Sequence, residues 1–163
     1  MKHKAKRALQ FAALPWRIGE GGLREVMLLT TRETRRWVVP KGWPMKGRKP
    51  AEVASQEAHE EAGLIGQIVG KRPLGNYHYE KRLAKKAIIC EVRVFLFRVE
   101  RQTDEWPEKG SRECKWFDAK EVAALVLLSR KITKRAGIFC LARRECDSLC
   151  VKIQTVRGGW GGS

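Results

Sequence analysis

A chain of 163 residues with 43% hydrophobic and 32% charged residues has the size and composition of one globular domain, long enough to bury a core without disulfides. No apolar run approaches the roughly 20 residues that a membrane-spanning helix needs, and the basic start leads into an apolar stretch too short for a signal peptide. We expect one cytoplasmic domain over residues 1–150, with residues 1–8 flexible, and a tail over residues 151–163 that is disordered at 158–163.

The charge is strongly positive and unevenly distributed. The 34 Lys and Arg against 18 Asp and Glu give a formal charge of +16, which points to a polyanionic partner such as nucleic acid, an anionic membrane or a phosphorylated small molecule. Residues 1–50 hold 13 Lys and Arg and three Glu, whereas residues 51–64 hold four Glu and neither Lys nor Arg. An acidic segment therefore lies within a basic chain.

The first third of the chain is typical of a hairpin followed by a loop. Gln10–Ile18 and Arg24–Thr31 are rich in strand-forming residues, and the glycines of residues 19–22 favour a turn between them. Trp37–Val39 is a short extended segment, and Lys41–Lys49 is predicted to be a loop because it contains two glycines and a proline.

A helix is predicted over Pro50–Ala62, because proline suits the first helical position and Gly63 suits the position after the last. At about 100° per residue, four small side chains fall on one narrow face that can approach a sheet closely. These are Ala51, Ala54, Ala58 and Ala62.

Two more strands and a basic aromatic segment follow the helix. Ile65–Val69 and Ala87–Val99 are predicted strands, and the second is partly apolar on both faces, which indicates a central position in a sheet. Gly75–Arg82, between them, is basic and aromatic. The remaining predicted elements are a strand at Cys114–Phe117 and two helices, capped by Asp118 and Ser129, that run to Leu128 and about Arg144.

Three glutamates share a different side of the helix from the alanines. Glu57 and Glu61 lie one turn apart with Glu60 beside them, and such a like-charge pair costs a few tenths of a kcal/mol. The residues four positions away include neither Lys nor Arg. Two interpretations stay open at this point: a solvated acidic face, or a site where these oxygen ligands hold a divalent cation.

The segment Gly42–Leu64 resembles the Nudix box, G-x5-E-x7-R-E-U-x-E-E-x-G-U, where U is a bulky aliphatic residue, and the spacing is kept over all 23 positions. Arg48 and Gln56 stand where the pattern has Glu and Arg, and Ala58 stands where a larger aliphatic residue is usual. The matching residues are Gly42, Glu57, Glu60, Glu61, Gly63 and Leu64.

This resemblance implies an α/β fold, an α/β/α sandwich with a mixed β-sheet and a catalytic loop-helix-loop. It also implies Mg²⁺-dependent hydrolysis of a diphosphate linkage, with Mn²⁺ as a possible substitute for Mg²⁺. Glu57 and Glu61 would be the main metal ligands, Glu60 a ligand or general base, and the backbone of Gly42 a further support for the metal. Gln56 can brace the glutamates only as a neutral hydrogen-bond partner.

Weaker similarity outside the box, at residues 36–42, 75–79, 105–106 and 115–118, resembles the diphosphoinositol-polyphosphate and dinucleoside-polyphosphate branch of the family. That branch implies a substrate crowded with phosphates. Four of the eight residues expected to bind it lie in the basic loop just before the acidic helix. The eight are Arg17, Lys41, Lys46, Arg48, Lys49, His78, Lys81 and Arg82.

Each of these basic residues also has a simpler interpretation as general surface charge, and His78 as a packed or hydrogen-bonded side chain. Trp43, in the basic loop, is a candidate to stack on a ligand.

The predicted reaction is attack of water on phosphorus, with Glu57 or Glu60 orienting or deprotonating the water. Two other functions remain as alternatives. The departures at Arg48 and Gln56 allow a catalytically weak module that binds nucleotides. The charge of +16 allows a basic nucleic-acid-binding protein, although no RNP-like, helix-turn-helix or zinc-knuckle pattern is present in the sequence.

Overall fold

The structure is a computed structural model, and it describes residues 7–83 and 86–122. The predictions for residues 1–6, for the helix from Ser129 and for the tail lie outside the described residues. The helix predicted after Asp118 is described only at its start, where residues 119–122 are helical. There the Asp118 carboxylate accepts a 2.7 Å hydrogen bond from the N–H of Lys120, as expected of a helix cap.

Apart from the helical start at residues 119–122, the described residues form one α-helix, one short 3-10 turn at Glu20–Gly22, and a sheet of eight strands. The helix α1 spans Pro50–Ala62, as predicted. The strands are β1 (Arg7–Ile18), β2 (Arg24–Thr30), β3 (Trp37–Val38), β4 (Lys41–Gly42), β5 (Leu64–Val69), β6 (Gly75–Leu83), β7 (Lys86–Gln102) and β8 (Cys114–Asp118).

The sheet is mixed, and its main path runs β3-β2-β1-β7-β5, with β4 on β1, β6 on β7 and β8 on β2. The pairing of β1 with β7 is parallel, and the other pairings are antiparallel. The predicted hairpin is confirmed, since Trp16 of β1 lies opposite Val26 of β2. The central position predicted for Ala87–Val99 is also confirmed, because β7 contacts β1, β5 and β6.

The core lies on both faces of the sheet. On one face, Phe11 and Ala13 of β1 pack in a cluster with α1, where Ala54, Ala58 and Ala62 are fully buried. The predicted alanine face is therefore the packing face of the helix, and this burial stabilises a helix too short to be stable alone. On the other face, side chains that alternate along the strands with those of the first cluster form a second cluster: Ala12, Val39, Tyr77, Val92 and Val94.

The α/β class and the mixed sheet predicted from the sequence are confirmed. The second helical layer of the predicted sandwich falls mainly on residues outside those described. The structure differs from the predicted loop at Lys41–Gly42, which forms the short strand β4 against Ala12 and Phe11 of β1. Within the described part of the chain, no helix is long and apolar enough to cross a membrane.

Candidate functional site

The helix α1 presents its three glutamates beside β4, on the border between the helix and the sheet. Spacings of three and four residues bring Glu57, Glu60 and Glu61 to neighbouring positions on the helix surface. Their burial differs: Glu61 is 6% exposed, whereas Glu57 and Glu60 are half-buried. A partly buried set of carboxylates needs compensation from hydrogen bonds or cations, because burial disfavours the charged form.

Glu61 is held at both carboxylate oxygens. The backbone N–H of Lys41 donates a 3.0 Å hydrogen bond to Oε2, and Nη2 of Arg112 donates a 2.7 Å hydrogen bond to Oε1. Burial raises the pKa of Glu61, and Arg112 and the Lys41 N–H act against that rise. The two donors therefore fix the side chain in one orientation while each oxygen keeps a further lone pair.

The carboxylate of Glu57 lies directly over Gly42. A Cβ atom added to Gly42 would lie 1.8 Å from Oε1 of Glu57, so only glycine leaves room for this arrangement. Burial and the neighbouring charges of Glu61 and Glu60 together raise the pKa of Glu57 to about 7. Within residues 7–83 and 86–122 no donor hydrogen-bonds to this carboxylate.

Glu60 is braced within the helix. Nε2 of Gln56 donates a 2.6 Å hydrogen bond to Oε1 of Glu60, which is the neutral contact expected from the sequence. The backbone carbonyl of Glu60 accepts a 3.0 Å hydrogen bond from the N–H of Glu108. Glu60 is thus linked to the loop that follows β7.

Basic and aromatic side chains flank Gly42. The side chain of Lys41 lies over Tyr79, with Nζ 5.8 Å from the ring centre, and burial lowers its pKa although Glu61 acts in the opposite direction. Lys81 lies over Trp43, with Nζ 4.9 Å from the ring centre, and Trp43 is 41% exposed. The structure therefore brings Lys41 and Lys81 to the same region as the carboxylates, with aromatic rings beside them.

The remaining residues of the basic loop are exposed. Lys46, Arg48 and Lys49 are all on the surface. Arg48 lines a cleft of about 510 Å³ along the helix together with Gln56 and Glu60. Two of the three positions that depart from the family pattern, Arg48 and Gln56, therefore border the same cleft.

Two other predicted substrate residues, Arg17 and His78, have partners away from the three carboxylates. Nε of Arg17 is 2.7 Å from Oε2 of Glu25, and its guanidinium lies over Trp116. His78 lies on the opposite side of β6 from Tyr79, with its ring 3.9 Å from Glu91. Arg82 is placed only by its backbone, which pairs with Ala87 in β7.

Sequence reasoning missed a group of ionic residues that contacts Glu61 through Arg112. Arg112 contacts both Glu61 and Glu108, and Nη2 of Arg32 lies 2.5 Å from Oε1 of Glu108. Arg32, Glu61 and the segment with Glu108 and Arg112 are far apart in the sequence, and the ionic residues outside the helix have no periodic or motif signal. A search for a distant cation able to compensate the unpaired glutamates is the one sequence argument that could have suggested Arg112.

A hard divalent cation fits the chemistry of these residues, because carboxylate oxygens are its preferred ligands. Glu57, with a raised pKa and no described donor, is the group whose charge is least compensated. Within the described residues, no three Asp, Glu, His or Cys side chains are arranged so that they could already hold a metal ion. The assignment of Glu57, Glu60, Glu61 and the backbone of Gly42 as metal ligands therefore stays a prediction.

Comparison with known families gives a match to the NUDIX domain over residues 10–136. Two curated relatives come from Arabidopsis thaliana. Nudix hydrolase 12, mitochondrial, is 31% identical over 108 residues, which are 62% of this chain and 51% of the relative. Nudix hydrolase 21, chloroplastic, is 27% identical over 129 residues, which are 78% of this chain and 62% of the relative. The chain thus spans about half to three-fifths of the length of these relatives.

Solved structures show the same fold. The Ap4A hydrolase of C. elegans superimposes with a TM-score of 0.57 at 15% identity, over 88% of this chain and 99% of that one. The NUDIX domain of Shewanella oneidensis NrtR, complexed with ADP ribose, superimposes with a TM-score of 0.55 at 13% identity, over 73% of this chain and 77% of that one. At these identities the similarity concerns the fold alone.

Proposed function

We propose, since the chain belongs to the Nudix family, that it hydrolyses a diphosphate linkage in a phosphate-rich small molecule with the help of Mg²⁺. One observation carries the proposal. Glu57 lies over Gly42 beside two further carboxylates, and its raised pKa indicates a need for positive charge that the described residues do not meet.

Glu57 and Glu61 would hold the divalent ion, with Glu60 and the backbone of Gly42 in support, and Mn²⁺ would substitute for Mg²⁺. When bound, the ion neutralises phosphate charge and lowers the pKa of a coordinated water. The hydrogen bonds of Lys41 and Arg112 keep Glu61 in its orientation. Gln56 does the same for Glu60.

The protein's own residues would supply the proton transfer and hold the substrate. Glu57 or Glu60 orients the attacking water or accepts its proton. Lys41 and Lys81, near the carboxylates, and the exposed Lys46, Arg48 and Lys49 bind phosphate oxygens. Positioning and electrostatic stabilisation provide most of the catalysis.

The proposed substrates are diphosphoinositol polyphosphates or dinucleoside polyphosphates. Both classes present several phosphates, which suits a divalent ion next to a basic loop. Support comes from the sequence similarity to that branch of the family and from the fold shared with a C. elegans Ap4A hydrolase. The cytoplasmic location stays a prediction, and the two Arabidopsis relatives carry the words mitochondrial and chloroplastic in their names.

The direct test is a phosphate-release screen over a panel of diphosphate compounds, with Mg²⁺ and with Mn²⁺. We expect Glu57→Gln and Glu61→Gln to abolish turnover of any active compound while the fold is kept, because each change removes a charged ligand. Glu52→Gln is the matched control on the same helix, since glutamine can still accept the hydrogen bond that Glu52 receives from the N–H of Lys49.

Turnover within a few-fold of wild type in both ligand variants, with unchanged Mg²⁺ dependence, would refute the ligand assignment. Tight ligand binding in isothermal titration without phosphate release would instead identify a binding module, the function that the residues at positions 48 and 56 allow.

A further inference from the structure

Arg112 is more strongly engaged than any other cation near the three glutamates. Its side chain is 13% exposed, and all three guanidinium nitrogens have partners. Nη2 contacts Glu61 at 2.7 Å, Nε contacts Glu108 at 2.9 Å, and Nη1 donates a 3.3 Å hydrogen bond to the carbonyl of Thr30. Such a partly buried, multiply bonded guanidinium has one orientation.

The helix itself supplies no cation to its carboxylates. Position 56, where the Nudix pattern has arginine, is a glutamine whose amide reaches Glu60. Among residues 7–83 and 86–122, no Lys or Arg other than Arg112 forms an ion pair with Glu57, Glu60 or Glu61. Among the described residues, the cation that pairs with these carboxylates therefore comes from a loop 51 residues away from Glu61 along the chain.

We propose that Arg112 is a positioning residue for the metal ligand Glu61, and that it substitutes for the cation missing at position 56. It fixes Oε1 of Glu61 while the N–H of Lys41 fixes Oε2, so the free lone pairs face a constant direction. On the side away from Glu61, the guanidinium contacts Glu108, and the exposed Arg32 contacts Glu108 rather than Arg112. This inference rests on the proposed function, because it assumes that Glu61 is a metal ligand.

A purely structural role for Arg112 would give a different pattern. As a pin between the loop, β2 and α1, it would contribute to thermal stability and leave ion affinity unchanged. As a positioning residue it controls ion affinity, because groups that orient metal ligands typically change affinity by about 10- to 100-fold when removed. Ion affinity measured without substrate therefore separates the two roles.

The experiment measures Mn²⁺ binding to the full chain by the electron paramagnetic resonance signal of free Mn²⁺, together with thermal melting. Arg112→Gln should weaken Mn²⁺ binding by about tenfold or more. Arg112→Lys, which keeps the charge but not the planar fork, should fall between Arg112→Gln and wild type. The matched control is Arg32→Gln, which breaks the same ionic group on the side away from Glu61 and should change affinity by less than about twofold.

Adding Gln56→Arg to Arg112→Gln should restore part of the lost affinity, since arginine then stands where the family pattern has it. Affinity that stays low in this double variant would overturn the substitution for position 56. Wild-type affinity in Arg112→Gln, or an equal loss in Arg32→Gln, would overturn the positioning role. Failure of the proposed function itself is distinct, because the wild-type protein would then bind no Mn²⁺.

Discussion

Glu57 combines a carboxylate over Gly42 with a pKa raised from 4.5 to about 7 by burial and by the charges of Glu61 and Glu60. The sequence predicted the three glutamates as a set, because their spacing on a helix is local information. It could not predict which of them lacks a partner, because the donors to Glu61 come from β4 and from a distant loop.

The raised pKa of Glu57 predicts how the stability of the metal-free protein depends on pH. A carboxyl group with a folded-state pKa above its unfolded value stabilises the fold fully below 4.5, and this contribution is lost as the pH rises through about 7. We expect thermal melting of the metal-free protein to show this loss, and Glu57→Gln to reduce it, since glutamine does not ionise.

Saturating Mg²⁺ should offset the loss in the wild type above pH 7 more than in the Glu57→Gln variant, because the ion favours the ionised carboxylate. Identical pH dependence of melting in the two metal-free proteins would contradict the raised pKa of Glu57.

At the scale of elements, α1 was predicted in full because the chain marks both of its ends. Proline opens the helix, and Gly63 ends it with a φ of 67°, a left-handed conformation suited to glycine. Strand β4 was missed because two residues have no periodicity, and Lys41–Gly42 becomes a strand only through its pairing with β1.

The junction between β4 and α1 leads to a prediction for Gly42→Ala. The three atoms nearest to the new methyl group belong to the end of the flexible Glu57 side chain, which can move aside. We therefore expect little loss of thermal stability but a fall of about tenfold or more in Mn²⁺ affinity.

Gly21→Ala is the comparison variant with the opposite expected pattern. Gly21 has a φ of +74° and no atom within 4 Å of an added Cβ, so alanine there should cost roughly 1–2 kcal/mol of stability through backbone strain and leave Mn²⁺ affinity unchanged. Wild-type Mn²⁺ affinity in Gly42→Ala would contradict the close approach of Glu57 that the structure describes.

For the whole molecule, the sequence predicted the fold class, the hairpin and the central strand, and it did not predict the parallel pairing of β1 with β7. That pairing places Gln10 opposite Val92 and Phe11 opposite Arg93, which are far apart in the sequence. Hydrophobic alternation identifies a strand and its buried faces but not its partner, so long-range pairings have no local signal. Arg112 was missed for the same reason.

The formal charge of +16 concerns the molecule as a whole and agrees with a polyanionic ligand. Some of the basic residues are already paired within the fold, as Arg17 is with Glu25 and Arg112 with Glu61. The exposed Lys46, Arg48 and Lys49 next to α1 place positive charge close to the carboxylates. This placement favours a phosphorylated small molecule bound at the acidic helix over general binding of nucleic acid.

A crystal structure of the protein grown in Mn²⁺ would show whether Glu57, Glu60 and Glu61 together hold a divalent ion. Anomalous scattering should locate one ion bound to carboxylate oxygens of Glu57 and Glu61, at the roughly 2.0–2.2 Å typical of a small divalent cation. Carboxylates directed into solvent with no anomalous peak between them, in crystals with abundant Mn²⁺, would contradict the account.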